Sequence, residues 1–165
     1  MLKFLNVKMM KRGFTLLEVL VATFIITVGI MGSLSLVSRT IYSANISSKR
    51  LIAVYLAQEG IEIVRNIRDT NWLEQISWND GLIGCLFPTG CEADYDDQAL
   101  VSYLDRKLYI DNNGVFSYSP SATQTEFKRR ITVTPNGSDI LEILVSVDWQ
   151  GKIEVTAQEN LYNWR

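Results

Sequence analysis

Two cysteines, one group of acids, one basic run and one isolated carboxylate are the residues of this chain whose types and spacing could do chemistry. Cys85 and Cys91 stand with five residues between them. Two thiolates alone do not complete a zinc site, so the pair reads as a disulfide closing a small loop over residues 86–90, which requires an oxidising compartment. Glu92, Asp94, Asp96 and Asp97 offer the hard oxygen ligands that calcium takes, but the ordered Asp-x-Asp-x-Asp-Gly loop is missing, which favours a solvated acidic loop. Lys128-Arg129-Arg130 has the charge to meet nucleic-acid phosphates. Alternation on a strand would send these three to opposite faces, and no aromatic platform accompanies them, so a solvated edge or a subunit contact is favoured over DNA.

The chain has no histidine, no Gly-x-Ser-x-Gly, no phosphate-cradling glycine loop and no Cys-x-x-Cys. The usual nucleophile, metal and nucleotide sites lack their parts. The reading is a protein that is not an enzyme and that takes no cofactor and no metal.

The isolated carboxylate is Glu18. It follows Lys11-Arg12-Gly13-Phe14-Thr15-Leu16-Leu17 and precedes Val19 to Ser38, about twenty uncharged residues, enough to cross a bilayer as one helix. A carboxylate at the centre of such a helix costs about 2.5–3.5 kcal/mol on insertion scales and less near an end, so its retention asks for a partner. Residues 1–13 hold Lys3, Lys8, Lys11 and Arg12 and no acid. A basic flank ahead of an apolar run predicts a cytoplasmic N-terminus and an exported remainder. Taking those four cations from the sixteen leaves twelve against eighteen acids, so the chain without its first thirteen residues carries a net charge of -6 in place of -2. A secretory signal cut near the small residues Ala22 or Gly29 to Ser33 is the alternative, and it would discard the apolar run.

The stretch Lys-Arg-Gly-Phe-Thr-Leu-Leu-Glu-Val-Leu-Val-Ala, residues 11–22, resembles the processing site of type IV pilins and of the pilin-like subunits (pseudopilins) of type II secretion. The resemblance implies that a prepilin peptidase, which is also the methylase, cuts between Gly13 and Phe14, that Phe14 is N-methylated, and that Glu18 serves assembly. It implies as partners that enzyme, other pilin subunits in a filament and the inner-membrane assembly machinery. It further implies a single pass of the inner membrane with the C-terminal part outside the cytoplasm, then an extracytoplasmic filament. Phe-Lys-Arg-Arg-Ile-Thr-Val, Val-Ser-Val-Asp-Trp and the late Asn-Trp-Arg look like the sheet of minor pilins of the PilV type, which implies a minor subunit of a type IV pilus-like filament. The alternatives are a type II secretion pseudopilin and, from another class, a membrane-anchored extracytoplasmic binding domain that never polymerises.

Positioning these residues takes an α+β fold of the pilin kind, a long N-terminal helix packed on an antiparallel sheet. Its expected parts are a leader at 1–13, a transmembrane half-helix at 14–38, an amphipathic half at 39–68, a variable connection at 69–99 and a sheet of about four strands at 100–165. From Phe14 to Arg68 there is no proline. Gly29 and Gly32, near Ser33 and Ser35, would let neighbouring helices approach or let the helix bend. Ala53, Leu56, Ala57, Gly60, Ile63, Val64 and Ile67 share one face by their three- and four-residue spacing, and that face should meet the sheet. Glu62 with Arg65 and Arg65 with Asp69 are spaced for surface pairs. Asp69-Thr70-Asn71 breaks the helical period, and Trp72, Leu73, Trp78 and Phe87 should anchor the connection. Residues 108–110 and 115–118 flank a turn containing Asn113-Gly114. Further strands are expected at Phe127 to Thr134, Ile140 to Trp149 and Lys152 to Gln158, with Trp149 and Trp164 filling core space.

Overall fold

A computed structural model of the chain describes residues 13–120, 123–151 and 153–164. Lys3, Lys8, Lys11 and Arg12 of the expected leader, and Lys152 at the expected start of the last strand, lie outside the described residues. The fold is α+β. One helix, α1 (Leu16–Leu73), precedes short strands β1 (Cys91–Glu92), β2 (Val101–Ser102), β3 (Tyr109–Ile110), β4 (Phe116–Ser117) and β5 (Thr123–Gln124), and then the long strands β6 (Phe127–Pro135), β7 (Ile140–Trp149) and β8 (Ile153–Tyr162). Two compact units divide the chain, residues 1–46 and 47–165.

In the first unit α1 is apolar around its whole circumference, and every described residue through Asn45 is exposed. Most hydroxyls of its apolar run are satisfied within the helix. Thr23, Thr27, Ser33, Ser38 and Thr40 each donate to a carbonyl three or four residues back, at 2.9–3.0 Å. Hydroxyls bonded this way enter an apolar medium already paired.

In the second unit α1 is amphipathic, and the face from Ala53 to Ile67 that the spacing predicts is buried. It packs on a five-stranded antiparallel sheet ordered β2-β1-β6-β7-β8. A Cβ built on Gly60 would stand 2.8 Å from Val145 Cγ1, so the absence of a side chain there sets how closely helix and sheet approach. Ile131, Ile143, Val145, Val147 and Trp149 are fully buried beneath it. A second sheet, ordered β4-β3-β5, is built on the expected hairpin, with Tyr109 opposite Ser117 and Ile110 opposite Phe116.

Several expectations are corrected. The helix runs on to Leu73, past the expected stop at Arg68, because tertiary contacts override a weak local pattern. Asn71 Nδ2 donates to the carbonyls of Trp78 (3.3 Å) and Asp80 (2.9 Å), and the Arg68 guanidinium lies 4.6 Å from the centre of the Trp72 ring. The end is a Schellman closure: Gln75 takes φ 61°, and Ile76 N–H donates to Asn71 O at 3.0 Å. Trp72 and Trp78 are buried as anchors, but Leu73 and Phe87 are exposed. β1 arises inside the expected connection and enters the main sheet between β2 and β6, so the sheet begins at Cys91. β8 continues to Tyr162. Arg65 pairs with Glu62 and, across to the sheet, with Glu159 at 2.5 Å, whereas Asp69 pairs with Arg68. Trp164 is exposed, its ring edge-on to Trp72 at 4.4 Å.

Candidate functional site

Gly13 and Phe14 precede α1 and are exposed, Phe14 at 82%. Thr15 caps the helix: its Oγ1 accepts the Glu18 N–H and its carbonyl accepts the Val19 N–H, both at 3.2 Å. Thr15-Leu16-Leu17-Glu18 is therefore a capping-box sequence, with an acid in the first turn where the helix dipole favours it. The sequence reading missed Thr15 as the cap, although Thr-x-x-Glu before an apolar run is its ordinary signal. Cβ atoms built on Gly29 and Gly32 would meet nothing within 4 Å, leaving two shallow places on an exposed apolar helix. By length and composition α1 can cross a membrane.

The other chemistry-bearing residues lie in the second unit, where the fold separates them. Cys85 and Cys91 form a disulfide, with Cα atoms 5.2 Å apart. Both ends of the loop they close are tied to β6, Cys91 by its register with Ile131 and Cys85 through its carbonyl, which accepts the Val133 N–H at 2.9 Å. Of the four acids Asp96 alone is exposed, as a solvated loop would have it, and the others are drawn into the fold. Glu92 is fully buried on β1, where Arg106 Nε donates to it at 2.7 Å; that partner lies fourteen residues on and gave no local signal. Asp94 accepts the Tyr118 N–H at 2.9 Å, and Asp97 accepts the Asp94 N–H at 2.7 Å. Burial pushes the Asp94 carboxyl above the usual range, and burial likewise pushes the Tyr118 phenol up to about 12. Among the described residues no group of three or more His, Cys, Asp or Glu is arranged to hold a metal.

The basic run is split between faces, as alternation requires, but Arg129 is neither solvated nor at a subunit contact. It is fully buried, paired with Glu59 at 3.2 Å and donating to the carbonyls of Leu56 (3.4 Å) and Ala93 (2.8 Å), so it ties α1 to the sheet. Lys128 pairs with Asp105 at 2.6 Å and Arg130 with Glu154 at 3.8 Å. None of the three is left as a free cation in a continuous patch for phosphates. What remains available is the N-terminal segment: Gly13, Phe14, Glu18 and the apolar surface that follows.

A family profile described as the prokaryotic N-terminal methylation motif matches residues 8–34. No curated protein and no solved structure matches the chain. The matched segment takes in Gly13, Phe14, Glu18 and most of the apolar run, and the rest of the chain supplies a helix packed on antiparallel sheet. The motif is similar to that of type IV pilins and pseudopilins, its match is confined to residues 8–34, and the helix packed on antiparallel sheet is consistent with a fold of that kind.

Proposed function

We propose that this chain is a minor pilin, a subunit of a type IV pilus-like filament. It is made as a precursor with residues 1–13 as leader, held in the inner membrane by residues 14–38 with its sheet outside the cytoplasm, and moved into the filament by inner-membrane assembly machinery. The observation that carries this reading is the methylation motif at the head of a helix whose first half, through Asn45, exposes its apolar residues on every side. A bilayer covers such a surface before assembly, and packing against the same surface of other subunits covers it afterwards.

Gly13 and Phe14 stand outside the helix and exposed, which suits cleavage between them by a prepilin peptidase. The amine freed on Phe14 stays cationic when the same enzyme methylates it. It then lies one helical turn from Glu18, at the positive end of the helix dipole, where a carboxylate offsets both charges. In assembly, Glu18 acts as a register mark. A subunit in the wrong register leaves its carboxylate facing apolar side chains, and the correct register brings it to the amine of a neighbour. The PilV-like strand sequences favour a minor subunit.

Glu18→Ala and Glu18→Gln test the reading. Both variants are expected to insert and to be cleaved, yet to be depleted from sheared filaments relative to the membrane pool. Normal incorporation of Glu18→Ala along the filament would remove the assembly role, and absence of the native chain from filaments would favour an anchored domain that does not polymerise. Both variants keep the backbone N–H that Thr15 caps, and Glu18→Gln also keeps the side chain's size, so its depletion isolates the charge.

A further inference from the structure

The two edges of the five-stranded sheet are unlike. One edge is β2, two residues long; the other is β8, ten residues long. β8 keeps unbroken register with β7 from Ile153 opposite Trp149 to Tyr162 opposite Ile140. It contains no proline, lysine or arginine. Long flat edges of this kind are usually bulged, charged with lysine or covered, because their unpaired amides and carbonyls template further pairing. Among the described residues no strand pairs with the outer side of β8. Asn163 N–H donates to Asp139 O at 2.8 Å, one step beyond the last pair of the ladder. In an antiparallel ladder alternate residues bond the same neighbour, so the odd-numbered residues of β8 bond β7. Glu154, Thr156, Gln158, Asn160 and Tyr162 therefore turn their N–H and C=O groups to the open side.

Beside this edge a groove of about 590 Å³ lies between α1 and β8. Ile61 and Ala157 give it apolar floor, and Glu59, Glu62 and Glu159 give it carboxylates. Arg65 bridges Glu62 and Glu159, and the buried Arg129 reaches Glu59. Three carboxylates thus face two guanidinium groups, and the groove keeps a net negative charge. A second copy of β8 would bring a second set of the same acids to one seam, which like-charge repulsion opposes.

We propose that the open edge of β8 receives an extended segment of a different polypeptide by strand addition, with lysine or arginine at the positions that turn toward the groove. The main-chain groups of the five outward residues supply the ladder. Basic side chains lay their stems on Ile61 and Ala157 and carry their charges to the glutamates, while polar residues at the alternate positions meet Thr156 and Gln158 on the other face. The surface lies within residues 47–165 and does not depend on whether the chain polymerises.

The test uses the full chain in detergent micelles and a fluorescein-labelled peptide of alternating lysine and threonine, followed by anisotropy. Two further peptides carry N-methyl groups on every second amide, one in each phase, at unchanged charge. Saturable binding is expected, with one methylated phase about tenfold weaker and the other little changed, because only one phase faces β8. Thr156→Pro should weaken binding about tenfold and Thr156→Ala clearly less, since alanine loses one cross-strand side-chain contact and keeps the outward amide, whereas proline removes that amide and spares the ladder to β7. Equal binding of both methylated peptides would mean charge attraction alone and would overturn strand addition. So would tight binding of an alternating glutamate and threonine peptide, or no saturation by about 1 mM. If Thr156→Pro fails to fold by circular dichroism, the two methylated phases still decide.

Discussion

Residues 16–45 and 47–73 belong to one helix and differ most in what covers them. Leu20, Phe24 and Met31 are 58%, 69% and 71% exposed, whereas Leu56, Val64 and Ile67 are 1%, 0% and 2% exposed. The later half has a polar face and an apolar face, and its sheet is supplied by the same chain. The earlier half is apolar on all sides and meets no such partner among the described residues of its own unit. A stripe of apolar residues is completed within the monomer, and an apolar cylinder is completed by a bilayer or by other copies. Stability is thus concentrated in the later half, and the proposed function gives assembly to the earlier one.

Substitutions in the two halves should separate these roles. Trp149→Ala, beneath the later half, should lower the unfolding free energy by about 3–5 kcal/mol in urea titrations of the detergent-solubilised chain. Leu34→Ala, in the earlier half, should leave it within about 0.5 kcal/mol. Gly60→Val comes next, at about 1–3 kcal/mol, because the new side chain would press on Val145 and Arg129. Gly32→Val meets nothing in the monomer and should change filament entry alone. Monomer destabilisation by Gly32→Val equal to that by Gly60→Val would break the comparison.

A smaller effect contrasts two acids within the second unit. Asp111 accepts the N–H groups of Val115 and Asn113, both at 2.8 Å, and those bonds, Val115 first, hold its carboxyl below the usual range. Its stabilisation is complete above its unfolded pKa of about 3.9 and is lost as pH falls through the lower folded value. Amide exchange at Asn113 and Val115 should therefore quicken on acidification, and Asp111→Asn should remove that dependence. Asp94 has the opposite sign, since burial raises it: folding is penalised as pH rises from the ordinary carboxylate range through its folded pKa. The Tyr118 amide that it holds should keep its protection at pH values where the Asp111 turn has already loosened.

Much of this was readable from local patterns. The apolar run, the buried face from Ala53 to Ile67, the Asn113-Gly114 turn and the long strands follow from periodicity and turn chemistry, which act over a few residues. The features that escaped depend on partners distant in sequence. Glu92 and Arg129 read as solvated because their charges point outward by default, and only Arg106, Glu59 and two carbonyls delivered by the fold make their burial tolerable. The helix end at Leu73 likewise depends on Asn71 meeting a later loop. Of the candidate site, Glu18 stands out by itself as the one acid at the head of the apolar run, Gly13 and Phe14 take a role only from the resemblance, and the capping bond of Thr15 has its local signal in Thr-x-x-Glu.

The central claim, that this chain is a prepilin, is tested most directly by the intact mass of the protein after co-expression with its prepilin peptidase. The expected product lacks residues 1–13, carries one methyl group and starts at Phe14, while Gly13→Ala keeps the leader. A native product that stays uncut, or one cut near Gly29 to Ser33, would contradict it.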